Sequence, residues 1–234
     1  KLSSSVAIKA GISQNYRLPT FNDLYWEPGG NPDLNPEKSW NYEAGIEIKE
    51  KNKFSWNINL NAFSRSVDNW ILWLPSGAFW QPENAKKVWS RGVDIKVNLS
   101  KSFSRWKWNA NAYYGFVKST NTQASDNAQS SIGKQLIYQP LHSGGVNFQI
   151  NYKKSSLYYG QRWSGNVFTT RDNSTQLEGY AVGNLKFQRK FYAKKVKLSL
   201  SVGVNNIWDK SYEVVEFYPL PGRSFIVHLS TMIN

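Results

Sequence analysis

From Trp40 to Lys49 apolar and polar residues alternate. Trp40, Tyr42, Ala44, Ile46 and Ile48 occupy the even positions; Asn41, Glu43, Gly45, Glu47 and Lys49 occupy the odd ones. A period of two is the mark of a strand with one apolar and one polar face. The rhythm returns in Phe54, Trp56, Ile58, Leu60 and Ala62, and in Val93, Ile95, Val97 and Leu99. It returns again in Trp106 to Phe116, Val146 to Tyr152, Val196 to Val204 and Phe225 to Leu229. The alternation predicts ten strands, near 3–14, 40–49, 54–73, 85–100, 105–118, 139–152, 155–168, 177–190, 195–206 and 222–233. In the eighth, Ala181, Leu185 and Phe187 fall out of phase with Tyr180 and Val182, which predicts a bulge.

The connections alternate in length. Short turns at 50–53, 101–104, 153–154 and 191–194 alternate with long loops at 15–39, 74–84, 119–138, 169–176 and 207–221. In an up-and-down antiparallel sheet this places every short turn at one end and every long loop at the other, as in a transmembrane β-barrel. Most of the strands exceed the ~9–11 residues needed to cross a bilayer. Aromatics gather near strand ends, at Trp40 and Tyr42, Phe54 and Trp56, Trp106 and Trp108, as interfacial girdles require. A soluble β-sandwich would instead have strands of about 5–6 residues and no systematic loop asymmetry. The fold expected is therefore all-β, an antiparallel up-and-down transmembrane β-barrel.

Composition supports this picture. Aromatics make up 15% of the chain, and mean hydropathy is −0.56 although 40% of residues are hydrophobic; alternation reconciles the two. The absence of cysteine excludes a disulfide framework and a thiolate metal site. No apolar run approaches the ~18 residues of a membrane helix, and Lys1 does not open a signal peptide. A net charge of +13 raises nucleic-acid binding as a possibility. The basic residues, however, collect in the short turns (Lys51, Lys53, Lys101, Lys153, Lys154 and Lys194), with Glu50 the one acid there. Lysines so placed reach lipid headgroups. They do not form the basic groove with aromatic platforms that a nucleic-acid partner needs.

Five stretches resemble TonB-dependent outer-membrane receptors, in the order that family shows them. They are "YRLPTFNDLYW" (16–26), "GNPDLNPEKSWNYEAGIE" (30–47), "WSRGVDIKVNL" (89–99), "VNNIWDKSY" (204–212) and "YPLPGRSFIVHL" (218–229). In the fourth, Ile207 and Trp208 replace the family's usual Leu-Phe pair, and the last strand ends at Asn234 where the family has an aromatic. The likeness is to vitamin B12 and siderophore-type receptors. Such barrels have about 22 strands and a plugged lumen. The resemblance thus implies that residues 1–234 are the C-terminal portion of a receptor barrel, about ten of its strands, with the plug domain and TonB-contacting segment absent. It also implies the outer membrane of a Gram-negative bacterium, and as partners outer-membrane lipid, the remaining strands and plug, the TonB complex, and a small-molecule or metal-chelate ligand. Locally, Pro19, Pro28, Pro32 and Pro36 restrict the first loop, Gly222 suits a turn, and Asp209 reads as a turn or cap residue.

No HExxH, P-loop or GxGxxG motif is present, and neither a catalytic residue, a cofactor nor a metal site is expected. His228 falls in the polar phase of the last strand. His142 stands near the long-loop rim, where an outer-membrane protease or esterase would need it to meet Asp126 or Asp172. Asp126-Asn127 and Asp172-Asn173 offer oxygen ligands for calcium, but solvated loops carry such pairs routinely. A soluble carbohydrate-binding domain is the third reading, from exposed tryptophans. For ligand contact the aromatics of the first two long loops stand out, because aromatics in an ordered loop supply large rigid area. Tyr16 and Phe21 hug a strand end and are expected to pack; Tyr25, Trp26, Phe79 and Trp80 are the expected ligand-binding residues.

Overall fold

The alternation from Trp40 to Lys49 belongs to one member of a ten-stranded antiparallel sheet. The computed structural model describes residues 3–123, 126–193 and 196–233; Lys194 and Asn234 lie outside the described residues, as does the Asp126 side chain. In chain order the strands are β1 (Val6–Arg17), β2 (Glu37–Lys51), β3 (Phe54–Ser76), β4 (Phe79–Phe103), β5 (Trp106–Gln123), β6 (His142–Tyr152), β7 (Ser155–Ser164), β8 (Val167–Phe168), β9 (Gln176–Leu177), β10 (Tyr180–Ala193), β11 (Val196–Asn205), β12 (Glu213–Val215), β13 (Tyr218–Pro219) and β14 (Ser224–Ile233). A five-residue helix, α1 (Phe21–Tyr25), lies in the first loop. The sheet order is β1-β2-β3-β4-β5-β6-β7-β10-β11-β14, a pure meander; β8–β9 and β12–β13 are small pairs within loops. Among the described residues β1 and β14 do not pair with each other, so the sheet is an open part of a barrel wall.

Register follows the two-residue period. Ile46 faces Leu60, and Ile58, Val97, Ala112 and Val146 form one cross-strand row. The alternate row runs Lys9, Gly45, Asn61, Asp94. Along this polar face Glu47 accepts from Lys9 (3.2 Å), Lys49 (3.3 Å) and Asn57 (2.8 Å), and Gln188 donates to Ser199 (2.7 Å). His228 opposes Ser201 on the same side. This polar face lines concavities, including one of about 430 Å³ between Lys9, Glu47, Asn59, Asp94 and Lys96. The apolar face, with Ile46, Val146, Phe187 and Val202, is exposed, which suits a lipid-facing surface.

Three expectations change. The segment 74–84 is not a loop: β3 and β4 pair from Phe54↔Lys101 to Ser76↔Phe79 and meet in the turn Gly77-Ala78, with Gly77 at φ +63. Its apolar run hides the alternation because this hairpin is covered; Ile71 and Leu74 are buried. The eighth strand has no bulge, and Tyr180 to Arg189 pair with β7 without a shift. Its out-of-phase residues lie on the polar side where a loop covers them: the Tyr212 ring sits 4.5 Å from Tyr180, and Val182 is buried. The first loop is also shorter than 15–39, since β1 and β2 pair up to Arg17↔Glu37. The buried apolar residues Leu34, Val67, Ile71, Leu74, Val88, Leu136 and Ile137 come from the upper strands and the loops above them. At about 1.5–3 kcal/mol per fully buried side chain, they hold the long-loop rim as a packed layer.

Candidate functional site

The long-loop end is built on the β3–β4 hairpin. Loop 18–36 lies against it. Thr20 caps α1 by accepting from the Asp23 amide (3.2 Å), while the Asp23 carboxylate accepts from the Thr20 amide (2.8 Å), a reciprocal box. The same carboxylate accepts from Trp73 Nε1 on the hairpin (2.9 Å) and pairs with Arg17 (3.2 Å). Burial pushes the Asp23 carboxyl up, but the bonds from Thr20 and Trp73 and the Arg17 charge outweigh it and hold it below the ordinary carboxylate value. Asn31 donates to the Pro82 carbonyl (3.1 Å), and Asn84 bonds the backbone of Asn35 in both directions (2.8 and 3.1 Å). Gly29 lies so close to the hairpin that a Cβ there would meet the Trp80 carbonyl oxygen at 2.1 Å; only glycine fits.

Beyond the hairpin the remaining loops join the same rim. The Trp80 ring lies 5.5 Å from that of Tyr138. The Tyr138 amide donates to the Phe168 carbonyl (2.9 Å). Burial raises the Tyr138 hydroxyl's pKa; the Glu216 backbone, which it meets, opposes this and the Glu216 carboxylate adds to it. Arg171 pairs with Glu83 (3.0 Å). Asn173 and Gln135 bond reciprocally through side chain and backbone (2.9 Å each). Tyr138 therefore stands where the hairpin and three loops meet.

The four sequence-predicted residues separate into two kinds. Tyr25 and Trp26 are exposed, at 64% and 55%, on the loop pinned by Asp23. Phe79 and Trp80 are strand residues at the hairpin tip, not loop residues; Phe79 is exposed and Trp80 half-buried against Tyr138. Gly29, packed on both Phe79 and Trp80, holds the loop that carries Tyr25 and Trp26 against the hairpin tip. Phe21, expected to pack, is 82% exposed, its ring 6.3 Å from Tyr25. Sequence reasoning missed Tyr138 and the β12–β13 tip, where Phe217 and Tyr218 are exposed. A non-glycine residue at positive φ, Phe217 at +65, leaves no simple sequence signal.

Of the other polar residues singled out in the sequence, His142, Asp172 and Asp209 have partners within the fold. His142 shares a 2.8 Å hydrogen bond with the Tyr114 hydroxyl and lies against Phe116; no described carboxylate bonds it. Asp172 accepts from the Ser174 hydroxyl and amide (2.8 and 3.1 Å), and these turn bonds, led by the Ser174 hydroxyl, lower its pKa to about 2. Asp209 accepts from the Arg223 amide (2.8 Å). Asn206, buried at φ +48, donates to the Lys210 carbonyl (2.8 Å) and accepts from the Lys210 amide (3.0 Å). The segments 204–212 and 218–229 are thus stapled together.

Comparison with known proteins gives a consistent picture. The family model described as TonB dependent receptor-like, beta-barrel, matches residues 1–207. A vitamin B12 transporter BtuB of Photobacterium profundum is 25% identical over 229 residues, covering 96% of this chain and 35% of that protein. One from Vibrio vulnificus is 34% identical over 232 residues, covering 95% and 34%. The solved structure of the copper transporter OprC superposes with a TM-score of 0.71 at 18% identity, covering all of this chain and 38% of that one, a likeness of fold. The chain spans about a third of the length of the curated relatives it matches.

Proposed function

Because the chain belongs to the TonB-dependent receptor-like β-barrel family, we propose that it is the C-terminal part of an outer-membrane receptor importing a scarce, large ligand of the cobalamin, ferric siderophore or haem class. In this reading residues 1–234 contribute ten strands to a barrel of about 22. The plug and the TonB-contacting segment belong to the rest of the same protein, in the outer membrane of a Gram-negative bacterium. The role is transport, not catalysis. The matched relatives are named vitamin B12 transporters, which supports the cobalamin end of the range.

The observation that carries the reading is the rim itself. Exposed Tyr25, Trp26 and Phe79 and half-buried Trp80 sit on segments held in place by Asp23, Gly29, Asn31 and Asn84. A pre-ordered aromatic surface binds a broad, flat ligand at low entropic cost. Neither an outer-membrane hydrolase nor a soluble carbohydrate-binding domain has a comparable observation in its favour. The test uses the intact receptor, with cyanocobalamin, haem and ferric siderophores as separate probes. Trp26→Ala and Trp80→Ala should weaken binding of one probe class at least about tenfold, with surface display and the heat-modifiable gel band unchanged. Normal binding by both variants, or loss of display by both, puts the site elsewhere.

A further inference from the structure

The outward face changes character in a single step. Across β3, β4 and β5 its positions carry no charge from Phe54 to Ala62, from Leu99 to Val93 and from Trp106 to Phe116. The next cross-strand row toward the long-loop rim is Tyr42, Ser64, Arg91 and Lys118, and the row after it is Trp40, Ser66, Trp89 and Thr120. Arg91 and Lys118 are thus directly opposed on neighbouring strands. Like charges so placed repel. Among the described residues no carboxylate pairs with either.

Arg91 is nevertheless held still. Its guanidinium lies 3.9 Å from the Trp89 ring centroid. One terminal nitrogen, Nη1, donates to Thr120 Oγ1 (2.9 Å) and the Trp89 carbonyl (3.1 Å). The indole of Trp89 is fixed in turn by donating to Ser64 Oγ (2.9 Å). The other guanidinium nitrogens have no acceptor among the described residues, and Lys118 beside them is exposed. Two cations, one held in place with free donors and one exposed, therefore face outward over a hydroxyl. That arrangement needs an anion.

Height identifies the anion's source. Ser64 lies ten residues from Phe54, about 33 Å along a strand at ~3.3 Å per residue, or about 25 Å of vertical rise at the usual barrel tilt of ~40°. That is the height of the apolar band, so the row sits where hydrocarbon gives way to headgroups. We propose that Arg91 and Lys118, with Ser64, seat a phosphate of an outer-leaflet lipid headgroup, while the exposed Trp89 and Trp40, one row further toward the long-loop rim, lie beside the rest of that headgroup. Guanidinium offers the paired donors that phosphate accepts, and the ammonium supplies the second charge. Bound anion turns the repulsion between opposed cations into attraction to a shared partner.

This inference rests on the membrane-embedded reading above, and its test is separable from it. The complete receptor, purified in detergent micelles, is offered bis-phosphorylated lipid A, its dephosphorylated counterpart and inorganic phosphate, and bound species are counted by native mass spectrometry. The phosphorylated lipid should bind. Affinity should fall about tenfold or more in the R91Q/K118Q double variant, and also in Lys118→Gln alone, which removes no protein contact. Lys101→Gln, outward at the opposite rim, should bind as wild type. Equal binding by the folded variants, equal binding of dephosphorylated lipid, or full competition by inorganic phosphate would overturn the proposal. Absence of the receptor from the outer-membrane fraction would overturn the membrane reading instead.

Discussion

Replacing Asp23 with alanine should release the first loop while leaving the barrel wall intact. The carboxylate is buried, with a side-chain exposure of 4%, and joins four groups: the Thr20 amide and hydroxyl, Trp73 Nε1 and Arg17. A hydrogen bond to a charged group contributes about 1.5–3 kcal/mol, and its unsatisfied partner loses more if it stays buried. Arg17 is 46% exposed, so its pairing adds little. Thr20 keeps its bond from the residue 23 amide, so α1 loses only the return half of its capping box, less than the roughly 1 kcal/mol of a whole cap. Allowing for relaxation of Trp73, the local opening cost should fall by about 2 kcal/mol, roughly thirtyfold in the opening constant. Hydrogen exchange reads this directly, because the amides of Leu24, Trp26 and Asn31 donate to Thr20, Asn22 and Asp23 carbonyls within the loop. In the folded Asp23→Ala receptor these amides should exchange about thirtyfold faster, with β2–β3 amides unchanged. The pH dependence has a definite sign. Since the folded carboxyl titrates below its ordinary value, its stabilisation is complete above the ordinary value of about 3.9 and disappears as pH falls through the lowered one. Exchange within about twofold of wild type, or equal acceleration throughout the sheet, would refute the reasoning.

Gly92→Ala should impair barrel assembly, seen as loss of the heat-modifiable gel band, because the new methyl would meet the Phe116 carbonyl oxygen at 2.1 Å. Gly11→Ala should assemble normally, since the nearest obstacle is the flexible Glu43 side chain at 3.3 Å. Asn206→Ala should loosen the 206–223 segment by about 1–3 kcal/mol, because it strands the Lys210 amide and carbonyl; limited proteolysis within 207–221 should accelerate, and an unchanged cleavage rate would contradict the stapling role. Asp172, with its pKa lowered to about 2, should hold the 170–175 turn above about pH 4 and release it as pH falls toward 2; amide exchange at Ser174 should lose this dependence in Asp172→Asn.

The amino-acid order alone determined the parts of this protein that repeat at short range. A half-buried strand writes its facing into every second residue, so Ile46, Ile58 and Val97 and their polar alternates were legible without a fold. Connection lengths then settled the meander and its asymmetric ends. Exposed aromatics such as Tyr25 and Trp26 were legible for the same local reason: they sit among prolines and glycines, outside any alternation. The tertiary structure decided the rest, where burial comes from distant segments. Residues 74–84 look like a loop in sequence because the hairpin that carries them is covered, with Ile71 and Leu74 buried, which erases the period of two. Tyr180 and Val182 break phase because Tyr212, some 30 residues on, covers their side of the strand. Asp23 bonds Trp73 across 50 positions, and Trp80 meets Tyr138. Arg91 and Lys118 become neighbours only through the register of β4 on β5. Such pairings leave no local trace, because what selects them is the geometry of the assembled rim, not the backbone preference of either residue.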